Sequence, residues 1–183
     1  MSRGLHFPHV RVIIFVKYNN FTVIFMRYLA HIADDGREQS VSAHLSGTAE
    51  LAAQFAARFG AARDARLVGL LHDIGKYTKG LQARLRGGPR VDHSTAGAKE
   101  AFAARNLPAA LSIAGHHGGI PDAGNRYDAA EETTLLGRLK RPVSADPVWR
   151  SEIALPGGGA PDFLTADPLQ TAFYTRMLYS CLV

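Results

Sequence analysis

An all-α fold is predicted for most of this chain on three observations. Alanine and leucine recur at helical spacing from Ser42 onward, and each periodic stretch is bounded by a capping residue or a Gly/Pro breaker. Valine, isoleucine and phenylalanine runs of the strand type are confined to residues 1–25. With 183 residues, 46% of them apolar and 20% charged, the chain suits one domain able to bury a core.

Residues 1–25 differ from the rest and form an N-terminal extension of uncertain status. Two apolar runs separated by Lys17-Tyr-Asn-Asn read as a short hairpin with an Asn-rich turn. An equally good reading starts the protein at Met26, with Arg27-Tyr28-Leu29-Ala30-His31 opening a domain that covers residues 26–183. The first apolar run, Val12 to Val16, is too short to span a bilayer, and no clear small-residue cleavage site follows it. Export and membrane insertion are therefore not expected. A single cysteine, Cys181, excludes a disulfide framework and a thiolate zinc cluster, so a cytoplasmic setting is expected.

The first helix carries Leu45, Thr48, Ala49, Leu51, Ala52, Phe55, Ala56 and Phe59, with Ser40 or Ser42 as N-cap and Gly60 as stop, which places His44 in its first turn. A second runs from about Asp64 to Ile74, burying Leu67, Val68, Leu70 and Leu71 and bringing His72 and Asp73 to its C-terminal end at Gly75. Tyr77 to Leu85 reads as a short helix before the Gly87-Gly88-Pro89 loop. Two more follow, Ser94 to Arg105 after His93, and Leu107 to His117, begun by Pro108 and closed by Gly118-Gly119. Residues 118–168 are rich in glycine, proline and aspartate, with one helical candidate at Glu131–Leu139 and an exposed loop at Pro156-Gly-Gly-Gly-Ala-Pro161. The last helix, Pro168 to Val183, has Phe173, Met177, Leu178, Leu182 and Val183 apolar and no stop signal, so the domain is expected to be cut inside it.

The net charge of +5 is unevenly placed: Arg3, Arg11, Lys17 and Arg27 precede the first acidic residue, and the remainder is nearly neutral. A high pI therefore does not by itself argue for nucleic acid. A local run does bear on it. Lys76, Lys79, Arg84, Arg86 and Arg90 have no acidic residue among them; they form either a solvated face or a nucleic-acid contact.

Five of the eight histidines form a spaced set: His44, His72 beside Asp73, His93, and His116 beside His117. Imidazole and carboxylate are the ligands that two closely spaced divalent metals need, and a pair about 3.5–4 Å apart can hold a bridging hydroxide and stabilise an in-line phosphoryl displacement. Asp73 is the candidate bridging carboxylate, since Asp92 is the only other acidic residue adjoining the set. Adjacent residues on a regular helix diverge, but both doublets sit at predicted helix ends, where both side chains can turn inward. Lys76, one turn beyond His72, is placed to hold a phosphate oxygen. Taken singly, His44 reads more readily as a capping or surface histidine than as a ligand and His93 equally as a neighbour of an N-cap, while His6, His9 and His31 show no partner pattern.

His72-Asp73 with its flanking histidines resembles the HD superfamily of metal-dependent phosphohydrolases, which are all-helical bundles. Within it the chain is most similar to the HD nuclease domain of the type I CRISPR helicase-nuclease. The similarity is carried by Tyr28-Leu-Ala-His31, by Gln39 to Ala49, by Gly69-Leu-Leu-His-Asp-Ile-Gly-Lys76 and by Asp92-His-Ser-Thr-Ala-Gly97, and it continues through Gly115-His-His-Gly118 and Arg176-Met-Leu-Tyr-Ser-Cys-Leu-Val183. The resemblance implies a single-stranded DNA endonuclease acting with a superfamily 2 helicase and a CRISPR surveillance complex. It implies two divalent transition-metal ions, with Asp73 bridging, His44 and His72 serving one, and His93, His116 and His117 the other. Asp73 and Lys76 would be catalytic, and Lys76, Lys79, Arg84 and Arg86 would receive nucleic acid. The mixed N/O donor set suits manganese, iron, cobalt or nickel, with magnesium as an alternative. The family's first metal is completed by an aspartate that follows the segment matching Ser180-Cys-Leu-Val183. Two alternatives remain open: a phosphohydrolase of small nucleotides, and an inactive truncated domain retained for contacts.

Overall fold

The structure is a computed structural model that describes residues 11–17, 20–157, 160–161, 163–164 and 167–183, with side chains from residue 27 onward. It is a helical bundle carrying two small antiparallel hairpins. The first hairpin pairs β1 (Arg11–Lys17) with β2 (Asn20–Met26), from Arg11 opposite Met26 to Lys17 opposite Asn20, in line with the hairpin reading of the two apolar runs. Tyr18 and Asn19 of the expected turn lie outside the described residues, as do His6, His9 and Gly158-Gly159 of the Pro156–Pro161 loop.

A second hairpin departs from the helical expectation. β3 (Leu29–Ile32) pairs with β4 (Glu38–Ser40) with an irregularity between Leu29 and His31. Its turn is built by Asp35-Gly36: Gly36 adopts φ 82°, its N–H donates to the Ala33 carbonyl, and Arg37 is held by the Asp35 carboxylate. Leu29 and Ala30 are buried against the bundle, and the Gln82 amide brackets Leu29, accepting from its N–H at 3.0 Å and donating to its carbonyl at 2.9 Å.

Helix α1 (Val41–Ala56) is capped by the Ser40 hydroxyl, which accepts from the Ala43 N–H, and ends before Gly60, which is left-handed at φ 76°. Its buried face is Val41, Leu45, Ala49, Ala52, Ala53 and Ala56; Leu51 and Phe55, expected inside, are 56% and 60% exposed. The small residues set how closely α2 (Ala62–Leu71) approaches, for a Cβ on Gly69 would lie 2.7 Å from the Ala49 backbone nitrogen.

Helix α2 stops at Leu71, three residues short of the expected end, and Ile74–Lys76 forms a separate 3-10 turn. α3 (Lys79–Arg84) is capped by Thr78, α4 spans Ser94–Ala103, and α5 (Leu107–Gly115) is capped by Asn106. The Glu131–Leu139 candidate shrinks to α6 (Leu135–Arg138), and α7 (Trp149–Glu152) is a short helix without a periodic signal. α8 (Pro168–Ser180) buries Tyr174, Thr175 and Leu178 while Phe173 stays 65% exposed, so only part of its predicted apolar face is inward. Leu71, Ile74, Tyr77, Ile113, Leu135, Trp149 and Leu178 form the fully buried centre. Among the described residues no helix is long and apolar enough to cross a membrane.

Candidate metal centre

The early end of α2 is what opens the site. Leaving the helix at Leu71 lets His72 and Asp73 point into one centre, because Asp73 takes φ −120° and ψ 19° rather than helical values. The next turn must then pass against the loop ahead of α4. Gly75 allows this, since a Cβ there would lie 2.6 Å from the His93 Cα and overlap its carbonyl oxygen. His93 is thereby held beside the His72-Asp73 doublet.

Asp73, 2% exposed, is the hub. Its Oδ2 lies 3.0 Å from His44 Nε2, 3.3 Å from His72 Nε2 and 2.9 Å from Lys76 Nζ; its Oδ1 lies 3.3 Å from both His93 Nε2 and His116 Nε2. His117 Nε2 is 2.7 Å from His93 Nε2, and His44 Nε2 is 3.1 Å from His72 Nε2. The donor atoms thus form two groups that share Asp73: His44, His72 and Asp73, and Asp73, His93, His116 and His117, with the atoms of each group within 4.8 Å of one another.

Hydrogen bonds behind the rings orient them. His72 Nδ1 lies 2.8 Å from the Gly69 carbonyl, His116 Nδ1 2.7 Å from the Ile113 carbonyl and His93 Nδ1 3.3 Å from the Val91 carbonyl. A carbonyl only accepts, so Nδ1 carries the proton and, in a neutral ring, Nε2 turns its lone pair inward. Burial pushes the His72 and His93 imidazoles below their ordinary values, which keeps them neutral near pH 7. His117 is pushed down to about 4 by burial and by the neighbouring His116 and His93. Burial would raise the Asp73 carboxyl, yet the group is held far below the usual carboxylate range, and the Lys76 ammonium 2.9 Å from Oδ2 supplies a positive charge beside it. Lone pairs therefore face an ionised carboxylate at about van der Waals contact or closer, an arrangement that a cation between them relieves. The donor set fits divalent metal.

The other expected residues have more specific positions. Lys76 is buried, and its first partner is Asp73, with the Ala30 carbonyl at 3.2 Å and His31 Nε2 at 3.3 Å. Its ammonium is turned to that carboxylate and shielded from solvent, which does not favour the direct phosphate contact expected of it. Lys79, Arg84 and Arg86 are exposed on and just beyond α3, the two arginines bonded to the Gly88 and Gln82 carbonyls. Asp92 lies outside both donor groups. It caps α4 by accepting from the Thr95 N–H and pairs with Arg141 at 2.8 Å.

Two residues at the site were not picked out from the sequence. His31 stacks edge-on to His44 with ring centroids 4.9 Å apart; its only signal was its place in the Tyr28–His31 segment. Arg138 joins the ends of α4 and α5; it falls within the Glu131–Leu139 candidate, which signals a helix but no contact with the site.

A protein family described as HD domain matches residues 41–142, a span that contains all six candidate ligands. No curated protein matches the chain.

Proposed function

The chain belongs to the HD domain family, and on that premise we propose that its site hydrolyses phosphodiester bonds of single-stranded DNA, using two divalent metal ions, in CRISPR interference alongside a helicase. A metal-dependent hydrolase in general is what the family and the His/Asp cluster fit. The observation that carries the two-metal reading is the sharing of Asp73 between two donor groups. Bound there, divalent ions lower the pKa of water and neutralise charge on phosphoryl and leaving oxygens. His44 and His72 would hold one ion and His93, His116 and His117 the other, with Asp73 shared between the two groups. Lys76 keeps Asp73 ionised and in place.

The choice of single-stranded DNA rests on the motif resemblance set out above and on the exposed run Lys79, Arg84, Arg86 and Arg90, which can follow a phosphate backbone. Mn²⁺, Fe²⁺, Co²⁺ and Ni²⁺ suit the donors best, with Mg²⁺ as a weaker fit. A cleft of about 380 Å³ beside His117, lined by Ser94, Thr133 and Arg138 among others, favours a second reading in which a small nucleotide is the substrate.

A screen of each metal against single-stranded DNA, double-stranded DNA, RNA and mononucleotides, with His72→Ala as control, separates the readings. Metal-dependent cleavage of single-stranded DNA that His72→Ala abolishes is the expected result. Turnover of nucleotides without DNA cleavage selects the second reading, and absence of metal uptake overturns both.

A further inference from the structure

Among the described residues, Arg138 touches both helix ends that carry the second donor group. Its Nη1 donates to the Ala114 carbonyl at 2.5 Å, its Nη2 to Ser94 Oγ at 2.5 Å and its Nε to Thr95 Oγ1 at 3.3 Å. Ser94 directly follows His93, and Ala114 lies two residues before His116. The guanidinium also lies 3.7 Å from Asp92 Oδ1, the carboxylate that caps α4, while Arg141 holds the other oxygen of Asp92. A single planar fork thus spans the start of α4 and the end of α5.

Arg138 is itself delivered with little freedom. Thr134 caps its one-turn helix, the Leu135 and Leu136 N–H groups donate to the Asp122 and Ala123 carbonyls, and Leu135 is fully buried. Lys140 ties the following turn to the Arg126 and Asp128 carbonyls. The irregular 118–141 stretch therefore has a definite product, the placement of one guanidinium.

We propose that Arg138 is a positioning residue that sets the separation of His93 from His116 and His117, and so tunes the second metal position without contributing a ligand. This rests on the two-metal reading above. Loss of a group hydrogen-bonded to a metal ligand itself weakens metal affinity about 10–100-fold in general; Arg138 bonds to the neighbours of the ligands instead, so its loss should fall at or below the lower end of that range. Here the loss should fall on one of two equivalents, because no bond of Arg138 reaches His44, His72 or the α1 end of the site.

The test is Mn²⁺ binding by calorimetry and by the electron paramagnetic resonance of bound Mn²⁺, on the whole chain and on Arg138→Gln, Arg138→Lys, Ser94→Ala and His72→Ala. The expected result is two equivalents in the wild type and selective weakening of one, by up to about 10-fold, in Arg138→Gln. Arg138→Lys should fail to restore it, since an ammonium keeps the charge but not the fork. His72→Ala should weaken the other equivalent. Should Arg138→Gln not fold, Ser94→Ala removes one acceptor only and should weaken the same equivalent by a smaller factor. Unchanged affinities in these variants, or equal loss of both equivalents, overturn the proposal. A wild type that takes up no Mn²⁺, nor Co²⁺ in its place, overturns the two-metal reading itself.

Discussion

Gly97→Ala tests whether the site is held by close backbone contact between α2 and α4. A Cβ at Gly97 would overlap the Leu71 carbonyl oxygen outright and lie 2.8 Å from its carbon and 3.1 Å from Ile113 Cγ2. Both obstacles belong to fully buried residues, so α4 must move as a body. Overpacking of this kind costs about 1–3 kcal/mol, and a rigid backbone obstacle belongs at the upper end. Opposing it, alanine is favoured over glycine inside a helix by about 1 kcal/mol. The balance is a net loss of about 2 kcal/mol, which for a chain of this length lowers Tm by about 4–8 °C. Gly47→Ala is the matched control: Gly47 lies exposed within α1 with nothing within 4 Å of its built Cβ, so the same substitution should stabilise by about 0.5–1 kcal/mol. Thermal unfolding followed by circular dichroism on both variants decides it. A Gly97→Ala protein as stable as Gly47→Ala would refute the packing argument.

Lys76→Ala leaves the buried Asp73 carboxylate without its ammonium partner and should cost the metal-free protein about 3–5 kcal/mol. Saturating Mn²⁺ should recover much of that loss by supplying the missing positive charge, and urea titrations with and without metal that show the same loss would contradict this. The metal-free protein should lose stability as pH falls from about 6.5 towards 4, because His72, His93 and His117 resist protonation in the folded state more than in the unfolded chain. The sign follows from their lowered values: the unfolded state binds more protons in that window, so stability is full above it. A melting temperature that stays flat from pH 7 to 4 would argue against buried neutral rings. Tyr174→Phe removes the 2.7 Å hydrogen bond that the buried Asp64 carboxylate receives and should cost about 1–3 kcal/mol, read as a lower urea midpoint at unchanged slope.

Most of the helical framework was legible in the chain because capping and periodicity act locally. Ser40 and Gly60 bound the first helix with a side chain and a dihedral that need no tertiary partner, and Pro108 marks the first turn of α5 in the same way, whereas the Thr78 and Asn106 caps were not read from the sequence. The six candidate ligands were legible for a related reason, since imidazoles and one carboxylate in ordered spacing have few other chemical uses in combination. The second hairpin was missed although Asp35-Gly36 is a turn signal, because its strands are only four and three residues long. Leu51 and Phe55 were placed inside because periodicity gives a face but not its width.

What the sequence determined by itself is therefore the helical class, the order of the helices and the set of groups available for metal. The tertiary structure alone decided how they meet. It divided the donors into two groups about Asp73, committed Lys76 to that carboxylate, kept Asp92 out as a cap, and brought in His31 from a segment without a periodic signal and Arg138 from a helical candidate that carried no sign of contact with the site. The physical reason is that helix ends and caps are set by neighbours within a turn or two. The distance between His93 and His117 depends instead on a guanidinium more than twenty residues away and on glycines whose missing side chains let backbones touch.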